Sequence, residues 1–163
     1  MLVELISPDE VPAKLVAFLR ERKIRRVALS QSRLLEQLDV YRAIESANEF
    51  ESRRWNQMTL DEMYDFDCGI TDVTYAVAET GTLAIVTDAN NGRGLSLVPM
   101  THVAIVEPKN LLPDLVDLFE RLGSNYPGRH VVMISGPSKT ADIEMNVVTG
   151  VHGPNVVKTF VIR

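Results

Sequence analysis

The segment Ser135-Gly-Pro-Ser-Lys-Thr-Ala-Asp142 lies between a predicted strand and a predicted helix, and its residue types suit anion binding. Gly136 lets a ligand approach the backbone, while Ser138 and Thr140 offer hydroxyl groups. The start of the following helix, supported by Asp142, would add free N–H groups and a favourable dipole. A phosphate, a nucleotide or a carboxylate could therefore bind. The spacing is not that of a P-loop, and an ordinary connection with Ser138 or Thr140 as N-cap is an equally good interpretation.

A second candidate is Glu79, a carboxylate beside the turn Thr80-Gly81-Thr82. In a desolvated site it could act as a base, or as a nucleophile toward an acyl or phosphoryl group. The alternative, which the local pattern favours, is a turn in which Glu79 only forms hydrogen bonds and Gly81 supplies a positive φ angle. We expect the loops Glu79–Thr82 and Gly136–Asp142 to lie side by side in one pocket, at the carboxyl edge of a parallel sheet.

Arg93 and Ser96 belong to the polar stretch Asp88–Ser96 and could close over an anionic ligand, because a guanidinium group pairs well with carboxylate or phosphate. An exposed, solvated arginine is the commoner outcome. The loop Asp88–Gly94 is rich in asparagine and glycine, with no apolar anchor except one alanine, which predicts an exposed and mobile segment. His152 follows a predicted helix and is a further candidate for ligand binding, although a structural histidine is more usual.

The chain offers little for metal or redox chemistry. Its three histidines show no ligand spacing, and Cys68 is its one cysteine, so we expect neither a metal site nor a redox cofactor in this chain. Near a predicted strand, Cys68 is expected to be a small buried thiol.

Length and charge exclude several classes of protein. The 163 residues predict a single domain spanning residues 1–163. Seventeen basic and twenty-two acidic residues give a net charge of −5, which disfavours nucleic-acid binding. Apolar runs are too short to cross a membrane, and the N-terminus does not resemble a signal peptide, so we expect a cytoplasmic protein.

The first elements form a β-α-β pattern. Val3–Ile6 predicts a strand, Ser7 and Glu10 form a capping box that opens a helix, and Val27–Ser30 predicts the next strand. Such a unit is typical of parallel strands with a ligand crevice at their carboxyl ends. Ser30 would lie at such an end.

The rest of the chain continues with strands and helices, although the region Glu51–Gln57 is ambiguous. Helices are predicted at Leu34–Leu38, Val40–Ala47, after the capping box at Thr59, from Asn110 to about Leu122, and around Ala141–Val148. Strands are predicted at Cys68–Thr71, Tyr75–Ala78, Leu83–Thr87, His102–Glu107, Arg129–Ser135 and Val156–Ile162. His102–Glu107, the Asn110 helix and Arg129–Ser135 would form a second β-α-β unit. The predicted fold class is α/β, with a mostly parallel sheet flanked by helices in three layers.

Four segments together resemble the LUD domain of lactate-utilisation proteins, most closely the C type. They are Ala78-Glu-Thr-Gly-Thr-Leu83, Arg93 with Ser96-Leu-Val-Pro99 and His102-Val-Ala-Ile-Val106, Ile134-Ser-Gly-Pro-Ser-Lys-Thr-Ala-Asp-Ile-Glu144, and Gly150-Val-His-Gly-Pro154. The resemblance covers nearly the whole chain from about Val3 and implies a fold of the NagB/RpiA/CoA-transferase-like group. The related B type carries ferredoxin-like cysteine clusters, which a chain with only Cys68 lacks. The chain is expected to begin at the domain itself, without the N-terminal helical segment of many relatives.

The resemblance implies an accessory or ligand-binding subunit of an iron–sulfur system that oxidises L-lactate to pyruvate. The subunit would bind a small anionic ligand, the iron–sulfur clusters would belong to partner subunits, and a homo-oligomer is left open. In CoA transferases of the same group the catalytic carboxylate precedes a nearby glycine, and Glu79-Thr80-Gly81 looks similar. The alternative is therefore a stand-alone transferase or ligase that uses Glu79 on an acyl-CoA, nucleotide or sugar-phosphate-like substrate. A regulatory module that binds lactate or pyruvate is a weaker third possibility.

Overall fold

The computed structural model describes residues 1–140, 148–149 and 153–163. Its strands are β1 (Leu2–Ile6), β2 (Arg26–Leu29), β3 (Glu51–Arg54), β4 (Cys68–Asp72), β5 (Tyr75–Val77), β6 (Thr82–Val86), β7 (Thr101–Val106), β8 (Leu111–Leu112), β9 (Val131–Ile134), β10 (Lys139–Thr140), β11 (Val148–Thr149) and β12 (Val156–Ile162). The α-helices are α1 (Val11–Glu21), α2 (Arg33–Gln37), α3 (Val40–Ser46), α4 (Gly94–Leu97) and α5 (Leu115–Asn125). Short 3-10 turns cover Pro8–Glu10, Trp55–Gln57, Glu62–Asp65 and Pro108–Asn110.

The centre of the molecule is a parallel sheet of six strands in the order β1-β12-β7-β4-β2-β3. All six residues of β7 are buried, as is typical of a strand that is covered on both faces. Helices flank this sheet, and the predicted α/β fold class is confirmed.

One face of the six-stranded sheet packs against α1, α2 and α3. The capping box of Ser7 and Glu10 forms as predicted, and Pro8 and Pro12 lie in the first turns that follow. The apolar face of α1 is fully buried against the side chains of Ile70 and Phe160, among others. This cluster is the largest part of the hydrophobic core.

The opposite face packs against a second sheet, which has four strands in the order β8-β5-β6-β9. Leu83 and Ile85 of β6 pack in one cluster with Ala104 and Val106 of β7. The outer face of the second sheet is covered by α5 through Leu118, among others. Beside it, α4 lies on β4.

The second sheet corrects one prediction. β9 pairs antiparallel with β6 and does not join the parallel sheet, so β7, α5 and β9 do not form a β-α-β unit. An alternation of strand and helix patterns does not reveal which sheet a strand joins, because strands of the parallel sheet and strands of the second sheet both need an apolar face.

Two helix boundaries also differ from the predictions. The N-cap of α5 is Asp114, whose side chain accepts a hydrogen bond from the backbone N–H of Asp117 at 2.9 Å. Asn110 instead donates its amide to the carbonyl of Val73 at 3.2 Å. Val148, predicted to end a helix, pairs with Thr140 in the antiparallel strands β10 and β11. Residues 141–147 of that predicted helix lie outside the described residues.

No helix within the described ranges is long and apolar enough to cross a membrane.

Candidate functional site

The turn Glu79–Thr82 lies beside Ser135, the residue that directly precedes the predicted loop Gly136–Asp142. Leu83 of β6 pairs with Ile134 of β9, which brings the preceding Thr82 next to the following Ser135. The hydroxyl oxygens of Thr82 and Ser135 are 2.8 Å apart, and those of Thr80 and Thr82 are also 2.8 Å apart. We call Thr80, Thr82 and Ser135 the hydroxyl chain. The turn residue Gly81 has the predicted positive φ, at 66°.

The hydroxyl chain lies at the amino edge of the parallel sheet, and the expected location at the carboxyl edge is wrong. The backbone N–H of Ser138 donates to the carbonyl of Pro154 at 2.8 Å, and that of Asn155 donates to the carbonyl of Met100 at 3.0 Å. Met100 and Asn155 directly precede β7 and β12. A strand of the parallel sheet would end at its carboxyl edge. β9 instead runs antiparallel to β6 in the second sheet, so it ends at the opposite edge.

Glu79 is exposed, and among the described residues its carboxylate has no hydrogen bond or ion pair; its backbone N–H donates to Pro113 at 3.1 Å. Ser138 is not a helix N-cap, because the next residues form β10. Gly136 has a φ of 143°, a conformation that favours glycine. Asp142 and His152 lie outside the described residues, as does the side chain of Thr140.

Arg93 and Ser96 lie in a different part of the molecule. Arg93 is exposed in a groove of about 280 Å³ beside Trp55 and Tyr64. Ser96 is buried, and its hydroxyl donates to the carbonyl of Arg93 at 3.4 Å. The loop Asp88–Gly94 packs against Trp55, an apolar contact that the sequence of the loop does not reveal. Gly92 lies so close to Trp55 that a Cβ on it would be 1.9 Å from the ring.

His102 and Cys68 are buried side chains of the parallel sheet. His102 is fully buried, its Nε2 lies 2.9 Å from the hydroxyl of Thr71, and burial lowers its pKa to about 4. Cys68 is the buried thiol that the sequence predicts, and burial raises its pKa far above the usual range. No cluster of three or more metal-ligating side chains occurs in the described part of the chain.

The carboxyl edge of the parallel sheet contains a crevice between β2 and β4. From β2 the chain continues outward to β3, whereas from β4 it continues in the other direction to β7 and then to β12. The two neighbouring strands β2 and β4 therefore form a topological switch point, where open α/β sheets bind their ligands. Ser30 follows β2, as the sequence predicts, and Asp72 ends β4.

Hydrogen bonds hold the walls of this crevice. The hydroxyl of Ser30 donates to Oδ1 of Asp72 at 3.3 Å. The Tyr41 hydroxyl donates to the Ser30 carbonyl at 2.8 Å and accepts from the backbone N–H of Ser32 at 2.9 Å. Burial raises the pKa of Asp72, and the negative charge of Asp88 raises it further, while hydrogen bonds from Ser32 and Ser30 oppose the shift. Asp72 is thus a partly buried carboxylate that is open to a cavity.

The crevice has two lobes of about 370 and 480 Å³, which share Ser32, Arg33 and Asp72. The first lobe is lined by Asp88, Asn90, Asn91 and Asn110, among other residues. The second contains Lys109, whose ammonium group pairs with Glu107 at 2.8 Å. No described carboxylate forms an ion pair with Arg33. The crevice therefore offers one unpaired cation beside several hydrogen-bonding groups.

Comparison with known proteins identifies the family. The protein-family model described as LUD domain matches residues 3–162 of this chain. This chain belongs to the LUD domain family. It is 30% identical over 162 residues to lactate utilization protein C 1 of Bacillus mycoides, a match that covers 93% of this chain and 69% of that protein. It is 40% identical over 94 residues to lactate utilization protein C of Halalkalibacterium halodurans, covering 54% of this chain and 40% of that protein.

A solved structure agrees with the LUD fold. The crystal structure of a DUF162 family protein from Deinococcus radiodurans superposes with a TM-score of 0.73 and covers 99% of this chain and 88% of that chain. At 21% sequence identity, this likeness supports the fold alone. The matches to the two curated relatives named above cover between 40% and 69% of their length, so the LUD chain spans only part of such proteins.

Proposed function

We propose that this LUD chain acts in lactate utilisation as a subunit that binds a small anionic ligand and carries no redox cofactor of its own. Relatives that align along nearly the whole chain are named lactate utilization protein C, which supports the pathway. Oxidation of lactate to pyruvate releases two electrons, and the chain's single cysteine cannot hold an iron–sulfur cluster. The resemblance to lactate-utilisation proteins implies iron–sulfur clusters, and we assign these to partner subunits.

The ligand site that we propose is the crevice between β2 and β4. The site rests on Arg33, which is exposed, forms no ion pair with a described carboxylate and lines the crevice together with Asp72 at the switch point of the parallel sheet. A carboxylate of the ligand would pair with Arg33. Asp72, which lines both lobes, and Asp88, which lines the first, can accept hydrogen bonds from a hydroxyl group of the ligand. Lactate has both a carboxylate and a hydroxyl, and it fits this arrangement.

The hydroxyl chain and Glu79 remain a sequence-based prediction of a second place where a ligand could bind. Among the described residues, Glu79 forms no ion pair. β6 spans five residues from Thr82 to Val86, and Val86 lines the crevice. At about 3.3 Å per residue, the hydroxyl chain is on the order of 13 Å from the crevice. A substitution at the hydroxyl chain should therefore leave the crevice unchanged, and a substitution in the crevice should leave the hydroxyl chain unchanged.

The pathway is tested in cells. Deletion of the gene should impair growth on L-lactate but not on glucose, and the tagged chain should co-purify with iron–sulfur proteins from lactate-grown cells. Normal growth on lactate after deletion, together with the absence of an iron–sulfur partner, would contradict the proposed pathway.

Ligand binding is tested with the purified chain by a thermal-shift screen over lactate, pyruvate, CoA esters and nucleotides. A ligand that binds only the folded state raises the melting temperature. We expect lactate or pyruvate to do so. Stabilisation by a CoA ester or a nucleotide alone would favour the transferase or ligase alternative.

A further inference from the structure

A separate pocket of about 320 Å³ lies between α3 and β3, at the edge of the parallel sheet. Tyr41 and Glu45 of α3 line one side, and Ser52 and Arg54 of β3 line the other. Its volume is at the lower end of the range for small-molecule sites. The Tyr41 ring separates this pocket from the crevice, because its hydroxyl bonds to Ser30 and Ser32.

Arg53 and Arg54 both line this pocket, and Arg54 is the one that forms no ion pair among the described residues. Its guanidinium carbon lies 4.2 Å from the centroid of the Tyr41 ring. A guanidinium over an aromatic ring can still donate N–H groups to an acceptor, because it carries five of them. Among the described residues no carboxylate pairs with Arg54, whereas the neighbouring Arg53 pairs with Glu62 at 2.9 Å and with Glu51 at 4.0 Å.

The Tyr41 platform under Arg54 is fixed before any ligand arrives. Hydrogen bonds of its hydroxyl to Ser30 and Ser32 tie the ring to the backbone on either side of Gln31. The ring also packs against the main hydrophobic core. A guanidinium that rests on a fixed ring loses little conformational entropy when it binds an anion. The side chains of Ser52 and Gln57 line the same pocket and can add hydrogen bonds.

We propose that this pocket binds a small molecule through an oxyanion group, a phosphate or a carboxylate, that pairs with the guanidinium of Arg54. The site is distinct from the crevice between β2 and β4. It does not depend on the role of the chain in lactate utilisation.

The direct test is a titration of the isotope-labelled full chain with inorganic phosphate and, separately, with acetate, followed by amide NMR at constant ionic strength. We expect saturable shifts concentrated at residues 52–57 and 41–45. Saturation with phosphate alone identifies a phosphate group as the ligand, and saturation with acetate alone identifies a carboxylate; either supports the proposal. No saturable shift with either probe, or shifts confined to other regions, would overturn it.

Two matched arginine variants complete the test. Arg54→Met should weaken binding of the effective anion at least tenfold. Arg42→Met removes an arginine from α3 whose side chain is 80% exposed, and it should leave the affinity within twofold of the wild type. Equal binding by the Arg54 variant, or equal loss in both variants, would overturn the proposal. If Arg54→Met does not fold, Arg54→Lys serves instead, since it keeps the charge but loses the planar donors and should still weaken binding.

Discussion

Substitution of Gly69 by alanine tests the packing of α4 on the parallel sheet. A Cβ at Gly69 would lie 1.8 Å from the carbonyl oxygen of Leu95 and 2.7 Å from its carbonyl carbon. Ordinary contact begins at 3.4 Å, so α4 would have to move away by about 1.6 Å. Both obstructing atoms are backbone atoms, and no rotamer change relieves the clash. Overpacking usually costs about 1–3 kcal/mol, and we expect the upper end, about 3 kcal/mol, from a total near 5–15 kcal/mol.

The assay is urea unfolding followed by the fluorescence of Trp55, the one tryptophan in the chain. The control is Gly123→Ala in α5, where a Cβ would meet no atom within 4 Å. Alanine favours a helix over glycine by up to about 1 kcal/mol, so this variant should be slightly more stable than the wild type. The two alanine substitutions should thus have opposite signs. A Gly69 variant within about 0.5 kcal/mol of the wild type would refute the close contact between β4 and α4.

Three further predictions concern buried groups. Because burial raises the folded-state pKa of Asp72, the free energy of unfolding should fall as pH rises from the unfolded-state pKa through the folded-state value, and Asp72→Asn should abolish this fall. Urea unfolding from pH 3 to pH 7 measures it, and the same fall in both proteins would contradict the prediction. Cys68 should react with a thiol reagent only after unfolding, since its thiol is buried and its pKa is raised; fast labelling of the native protein would disprove this. The ring protons of His102 should show no titration by NMR between pH 8 and pH 5, because its pKa is about 4; a midpoint near 6.5 would indicate an exposed ring.

The elements with local signals were predicted well. β12 is observed at Val156–Ile162, as its apolar run predicts. The capping boxes at Ser7 and Thr59 form, since each needs only two side chains that are three residues apart. The second sheet was missed because its pairing joins β6 to β9, which lie far apart in sequence. The sequence predicts an N-cap at Asn110, whereas Asp114, four residues later, is the N-cap in the structure.

The candidate site was predicted less well for a related reason. The crevice is assembled from four connections that are separated in sequence, and each of its polar residues is unremarkable alone. A signal was present: Ser30, Asp72 and Glu107 each end or directly follow a buried strand of the parallel sheet. Recognising that signal requires the strand order, which places β4 beside β2 and makes their boundary the switch point. The local sequence motifs instead predict a site at the hydroxyl chain, which lies at the opposite edge.

The most direct test of the account is calorimetric titration of L-lactate into the wild type and two variants, Arg33→Met in the crevice and Glu79→Gln beside the hydroxyl chain. We expect the wild type and the Glu79 variant to bind with the same affinity, and the Arg33 variant to bind at least tenfold more weakly, a difference of about 1.4 kcal/mol or more. Each variant should be shown to melt as the wild type does without ligand. Loss of binding in the Glu79 variant, with full binding retained in the Arg33 variant, would contradict the assignment of the ligand to the carboxyl edge of the parallel sheet.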